Sequence, residues 1–207
     1  MDALLNEVEV RVLGSLIEKE TTTPEYYPLS VNALTNACNQ SSNRHPVVHF
    51  DEDTVSEALD SLREKRFVHQ VDRADSRVTR YRHVMAETLS LEKRDVAVMC
   101  VLMLRGPQTV GEVRTRSNRI YDFANLGEVE TTLNSLIGRK PLPLVVRLPR
   151  QTGHKEVRYA HLLSGEVTFD DQTGQDRISK LEEATEELRK ALDDLRQQFD
   201  QFKRQFE

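Results

Sequence analysis

The sequence has no tryptophan, two cysteines and eight scattered glycines, and aromatic side chains make up only 6% of its 207 residues. It also lacks a long apolar run: the longest, Val96–Leu104, falls far short of the roughly 20 residues that a membrane helix needs. No basic segment followed by an apolar core opens the chain, so we expect no signal peptide. These absences exclude the membrane and secreted classes and predict a cytoplasmic protein.

Motifs of enzymes are also missing. The sequence contains no P-loop, no Gly-x-Gly-x-x-Gly after a strand, no Gly-x-Ser-x-Gly and no His-Glu-x-x-His. Cys38, His45 and His49 are the nearest approach to a metal set, but a fourth ligand is missing, so we interpret them as a buried thiol and two surface histidines. Without a Cys-x-x-Cys pair, Cys38 and Cys100 are typical of a reducing compartment. We therefore predict a protein without enzymatic activity, catalytic residues, metal, cofactor or small-molecule substrate.

Charge is abundant, and it is unevenly distributed. Charged residues make up 30% of the chain, and the formal net charge is −5. Residues 1–88 carry a net charge of −5, residues 89–166 carry +4, and residues 167–207 carry −4. A basic middle between two acidic ends says more about binding partners than the overall charge does.

The spacing of apolar residues predicts three helices and a β-hairpin in the first 88 residues. We expect helices over residues 3–19, 31–39 and 51–66, and strands over residues 67–71 and 78–84. The same order then repeats, with a helix around Val96–Leu104, helices over residues 109–116 and 127–139, and strands over residues 144–149 and 156–163. The third helices share the pattern Val-x-x-x-Leu-x-Ser-Leu, at 55–62 and 129–136, and the second strands share Tyr-x-His, at Tyr81 and Tyr159. This predicts an internal duplication.

Three helices followed by a hairpin is the order of a winged helix. The predicted fold is therefore mainly α with small β-hairpins (α+β), formed by tandem winged-helix repeats and a C-terminal coiled-coil helix. The predicted domains are residues 1–88, an acidic repeat, residues 89–166, a basic repeat, residues 167–176, a linker, and residues 177–207, the coiled coil. We expect the apolar helix around Val96–Leu104 to be covered on all sides, either between the repeats or in a dimer interface. Predicted core residues are Leu13, Leu16, Leu34, Val55, Leu59, Leu62, Val98, Leu102, Val113, Val129, Leu133 and Leu136.

The last 30 residues carry an apolar seam with alternating steps of three and four, which is typical of a coiled coil. This seam predicts a homodimer, and the alternative is that it covers an apolar groove on the body of the protein. Charge does not decide between a parallel and an antiparallel pair. The residues predicted to mediate oligomerisation are Ile178, Leu181, Leu188, Leu192, Leu195, Phe199, Phe202 and Phe206.

Several blocks resemble the YceH-like family of uncharacterised bacterial proteins. They are Thr22-Thr-Pro-Glu-Tyr-Tyr-Pro-Leu-Ser, Asn32-Ala-Leu-Thr-Asn-Ala-Cys-Asn-Gln, Leu104-Arg-Gly-Pro-Gln-Thr, Leu148-Pro-Arg-Gln-Thr-Gly and Arg158-Tyr-Ala-His-Leu-Leu-Ser-Gly. The resemblance covers about residues 5–166. It implies a tandem winged-helix fold in a bacterial cytoplasm, and it carries over no catalytic or binding residue.

Two functions remain open from the residues. The first is binding of double-stranded DNA, in the manner of a helix-turn-helix regulator, because the second repeat is rich in arginine and offers Asn118 and Asn134 to base edges. The predicted phosphate contacts are Arg114, Arg116, Arg119, Arg139, Lys140, Arg147, Arg150 and Lys155.

The second function is a protein-interaction scaffold, which docks partners through the winged helices and the coiled coil. Carboxylates stand at the start of each third helix, at residues 51–53 and at Glu128 and Glu130, where they would repel phosphates. The second repeat's arginines could equally form a solvated basic surface. A segment just before the second helix, Tyr26-Tyr27-Pro28-Leu29, we interpret as core.

Overall fold

The computed structural model describes residues 4–71, 78–150, 156–166, 185–186 and 189. The chain divides into two compact units, Met1–Val167 and Thr168–Glu207. The described part of the first unit forms seven α-helices and two antiparallel two-stranded sheets, which confirms the mainly helical α+β class. In the second unit, Thr185, Glu186 and Arg189 are helical, and the eight predicted seam residues lie outside the described residues.

Three helices and a hairpin form what we call the first half. Each helix begins at a polar cap: Asn6 accepts from the Glu9 amide at 2.9 Å, Ser30 accepts from the Ala33 amide, and Asp51 accepts from the Thr54 amide. The elements are α1 (Glu7–Thr22), a 3₁₀ turn (Pro24–Tyr26), α2 (Val31–Cys38), α3 (Glu52–Glu64), β1 (Val68–Val71) and β2 (Arg80–His83).

The second half repeats this order after a short connecting helix, α4 (Met85–Leu89), which the sequence did not predict. Its first residue follows Val84, which supplies no side-chain cap, so no start signal marked the helix. The elements of the second half are α5 (Lys93–Arg105), α6 (Val110–Ser117), α7 (Leu126–Ile137), β3 (Val145–Arg147) and β4 (Tyr159–His161).

A third backbone segment joins each hairpin at the same place. Leu29, just before the cap of α2, donates its N–H to the Tyr81 carbonyl at 3.1 Å, and Tyr81 donates back at 2.8 Å. Gln108, just before the cap of α6, exchanges the same two bonds with Tyr159, at 3.0 and 2.8 Å. The shared Tyr-x-His pattern therefore marks a strand that pairs on both sides.

The two halves share a core formed by α1 and α5. Every residue of the predicted apolar run Val96–Leu104 is buried, and the run packs against α1 as well as against its own half. The helices approach closely at Gly14, whose carbonyl accepts a bond from the Cys100 thiol at 3.5 Å. All twelve core residues predicted from the sequence are buried. The interpretation of Tyr26 as core is wrong, because its side chain is 68% exposed, whereas Leu29 is buried.

Candidate nucleic-acid interface

A cleft of about 620 Å³ lies between α7 and the β3–β4 hairpin. Leu126, Glu130 and Asn134 line it from α7, since residues four apart share one face of a helix. Arg147 and Arg150 line it from the hairpin. The opposite face of α7 is buried through Val129, Leu133 and Leu136, so the core fixes which side chains reach the cleft.

The charges lining this cleft are balanced. Arg147 and Arg150 are exposed, and so are the carboxylates of Glu130 and Glu156. Leu126, at the start of α7, keeps 48% of its side chain exposed. The cleft therefore combines two guanidinium groups with two carboxylates and one exposed apolar side chain.

The carboxylate of Glu128 turns back to the loop before α7. It accepts a hydrogen bond from the Tyr121 hydroxyl at 2.8 Å and another from the Ala124 amide at 2.9 Å. The bond from Tyr121 is the largest cause that lowers the pKa of Glu128, and the bond from Ala124 is the next. Glu128 therefore stays ionised and holds the loop before α7, whose N-terminal cap is the Asn125 side chain. Both Glu128 and Glu130 keep a negative charge at this end of α7.

In the first half, the corresponding carboxylates also have local partners. Asp51 caps α3 through the Thr54 amide at 2.8 Å, and Glu52 accepts a bond from the Asn32 side chain at 2.7 Å. Acidic groups at this end also suit the helix dipole. Asp51 and Glu52 are therefore explained by their contribution to the stability of α3.

Two members of the predicted arginine cluster form hydrogen bonds or an ion pair with nearby backbone carbonyls or side chains. Arg114 donates to the carbonyls of Phe123 and Ala124, at 3.2 and 3.0 Å. Arg116 donates to the Gln108 side chain and lies 3.3 Å from a carboxylate oxygen of Glu112. Arg119 is exposed and has no side-chain hydrogen bond or ion pair within the part of the chain that the structure describes.

The remaining predicted contacts are dispersed. Arg139 donates to the Leu89 carbonyl, and Lys140 is exposed beside it in the chain. Lys155 lies outside the described residues. Of the eight predicted basic residues, the cleft brings together Arg147 and Arg150. The helical spacing of Leu126, Glu130 and Asn134 was the sequence signal from which the α7 side of the cleft could have been predicted.

The comparisons with known proteins identify the family. A family model described as "Protein of unknown function, DUF480" matches residues 5–154. The chain belongs to the DUF480 family. The resemblance to the YceH-like family is confirmed, because the two are the same family.

Bacterial relatives of this DUF480 protein share about half of its residues. A UPF0502 protein of Opitutus terrae is 55% identical over 165 residues, 80% of this chain and 72% of the relative. One of Pelobacter propionicus is 52% identical over 203 residues, 91% of each chain. One of Geobacter sulfurreducens is 57% identical over 167 residues, 80% of this chain and 75% of the relative.

The cysteines of this DUF480 protein lie in the core. Cys38 and Cys100 are both buried free thiols, and burial raises the pKa of Cys38 to about 11. His45 and His49 are exposed, and no group of three metal-binding side chains is found among the described residues. A search of the same residues finds no helix that is long and apolar enough to cross a membrane.

Proposed function

We propose that this DUF480 protein is a non-enzymatic, tandem winged-helix protein of the bacterial cytoplasm that binds double-stranded DNA. The contact surface is the cleft between α7 and the β3–β4 hairpin. The observation that carries the proposal is that Arg147 and Arg150 are exposed on the hairpin and line one cleft with the exposed face of the preceding helix.

The element order supports the winged-helix part of the proposal. Each half has three helices, a hairpin and one further backbone bridge to the second hairpin strand. In a winged helix, the third helix enters the major groove while the hairpin contacts the backbone. By that assignment α7 is the recognition helix and β3–β4 is the wing.

Each residue then has a distinct role. Arg147 and Arg150 contact phosphates, because guanidinium groups match phosphate oxygens in charge and geometry. Asn134, exposed on α7, is positioned for a base edge. Arg114 and Arg139 are assigned a supporting role, since their guanidinium groups donate to carbonyls of the protein's own backbone.

A protein-interaction scaffold is the second candidate. It is favoured by Glu130 and Glu156, whose negative charges balance the positive charges of the two arginines. The exposed side chain of Leu126 also favours it. A cleft of mixed charge with an apolar residue suits a peptide or protein surface as well as it suits phosphates.

Salt dependence distinguishes these functions. We would measure the affinity of the full chain for a labelled duplex by fluorescence anisotropy between about 50 and 200 mM salt. Phosphate contact predicts that Arg147→Ala with Arg150→Ala weakens binding and flattens the salt slope by up to about two charges. Arg63→Ala with Lys93→Ala is the matched control, because both residues are exposed on other helices.

Glu130→Gln gives the sharper distinction. If the cleft binds DNA, removing this carboxylate is expected to strengthen the binding of the duplex. If the cleft binds a protein instead, neither the wild type nor Glu130→Gln binds the duplex. Absence of binding by the wild-type chain at about 50 mM salt and micromolar concentration contradicts the DNA proposal.

A further inference from the structure

A second cavity, of about 230 Å³, lies where the two halves meet. The first half contributes Glu18 from the end of α1 and Asn43 from the loop after α2. The second half contributes Arg105 from α5 and Arg116 and Arg119 from α6 and the turn after it. Val101 and Leu104 add apolar surface to the lining. Neither this cavity nor its lining belongs to the cleft between α7 and the hairpin.

Three guanidinium groups and one carboxylate line this inter-half cavity. The carboxylate, Glu18, is already paired with Arg44, whose side chain is fully buried, at 2.6 Å. Arg116 in turn lies 3.3 Å from a carboxylate oxygen of Glu112, which is not part of the cavity lining. Among the described residues Arg105 and Arg119 have no ion-pair partner, so positive charge at the cavity exceeds negative charge. Burial, and then the charge of Arg116, lowers the pKa of Arg105, while the charge of Glu18 opposes this shift.

The donors of these arginines are only partly used. Arg105 donates to the Asn43 side chain, and Arg116 donates to Gln108 and is paired with Glu112. A guanidinium carries five N–H groups, so both retain donors for a further acceptor. Arg119 has all of its donors available among the described residues.

We propose that the inter-half cavity binds a small anion through a phosphate group, either inorganic phosphate or a small phosphomonoester. Clustered guanidinium groups provide the charge and the paired N–H donors that phosphate oxygens accept. The volume is below the roughly 300 Å³ at which pockets for drug-sized ligands begin, so the ligand is small. Because both halves line the cavity, the bound anion holds them together and stabilises the folded first unit.

The test is a calorimetric titration of the full chain with inorganic phosphate, with glycerol phosphate, and with glycerol. Ionic strength is held constant with sodium chloride, so that general screening does not imitate binding. We expect saturable binding of at least one of the two phosphate compounds and none of glycerol. Tighter binding of glycerol phosphate identifies a phosphomonoester site, and binding of inorganic phosphate alone identifies the free ion as the ligand.

Variants locate the site. Arg119→Ala and Arg105→Gln should each weaken binding by about tenfold, the loss of one charge-assisted hydrogen bond. Arg119 is exposed and makes no described contact, so its variant should melt at the wild-type temperature without phosphate. Arg147→Ala, in the other cleft, is the matched control and should bind phosphate normally. No saturation by about 10 mM of either compound, or equal binding by wild type and Arg119→Ala, overturns the proposal.

Discussion

Glu18 of α1 and Arg44 of the loop after α2 form an ion pair with an oxygen–nitrogen distance of 2.6 Å, and the Arg44 side chain is completely buried. The same guanidinium donates to the Ala37 carbonyl through Nε at 3.2 Å and through Nη2 at 3.0 Å. Arg44 thus satisfies a carbonyl at the end of α2 and anchors it to α1.

Arg44→Met should destabilise the protein by about 3–5 kcal/mol, because it leaves Glu18 and the Ala37 carbonyl without their buried partner. Urea denaturation followed by circular dichroism measures the change. Arg63→Ala, which breaks the exposed pair with Asp60, is the control and should cost no more than about 1 kcal/mol. Equal losses of stability in the two variants would show that the buried pair contributes no more than the exposed pair.

Gly14→Ala should destabilise the contact between α1 and α5. A Cβ at this position would lie 2.9 Å from Leu104 Cδ2 and 3.3 Å from Met103 Cβ. Overpacking costs about 1–3 kcal/mol, which exceeds the gain of up to about 1 kcal/mol from replacing glycine in a helix.

Gly111→Ala is the matched control for that substitution. A Cβ there meets only Thr109 Oγ1, at 4.0 Å, so the protein should be stabilised slightly. Chemical denaturation of both variants gives the comparison. A stabilising Gly14→Ala would mean that α1 and α5 move apart without penalty.

Leu59→Ala and Leu133→Ala should each cost about 2–5 kcal/mol, because both leucines are fully buried in the third helix of their half. Leu142→Ala, at a half-exposed position, is the control and should have little effect. Unfolding by urea measures all three. A loss of stability in only one of Leu59→Ala and Leu133→Ala would mean that the two equivalent helices pack differently.

Stability should fall as the pH is lowered from about 6.5 towards 5. Burial lowers the pKa of His161 to about 4, whereas the unfolded chain has a histidine pKa of about 6.5. Between these values the unfolded state binds more protons, so acid favours it, by at most about 1.4 kcal/mol per pH unit. His161→Phe should reduce this slope, and His69→Gln, on the exposed face of β1, should retain it. An unchanged slope in His161→Phe would assign the effect to other groups.

Residues 177–207 are expected to form a self-associating coiled coil. A chain that ends at Gly174 should then be a monomer by light scattering, while the full chain is a dimer. The eight apolar seam residues provide the driving force, since burial of the stripe stabilises such a helix more than its intrinsic propensity does. A monomer from both chains would exclude self-association and leave the apolar seam to cover the body of the protein.

Local patterns predicted most of the helices and strands. Apolar spacing placed all twelve core residues, and the repeated Val-x-x-x-Leu-x-Ser-Leu pattern located α3 and α7. These patterns succeed because each records burial along one helix, which depends on neighbours in sequence. The short helix α4 escaped prediction because it has neither a cap nor a long stripe.

The partners of the arginines could not be predicted, because they lie far apart in sequence. Arg44 lies in a polar stretch, yet tertiary packing buries it against Glu18, 26 residues earlier. Arg114, a predicted phosphate contact, donates to the Phe123 carbonyl, a bond that the spacing of charged residues did not indicate. Composition gives the net charge of each half, but it does not distinguish arginines that support the fold from those, such as Arg147, that have no partner among the described residues.

The packing of α1 against α5 has a consequence for how the duplicated halves could diverge. In a dimer of identical subunits, both sides of the interface carry the same net charge. Here equivalent helices of the two halves meet within one chain, so the acidic first repeat and the basic second repeat are held at a fixed one-to-one ratio. Joining the halves in one chain therefore fixes an electrical asymmetry: every molecule carries one half with a net charge of −5 and one with a net charge of +4.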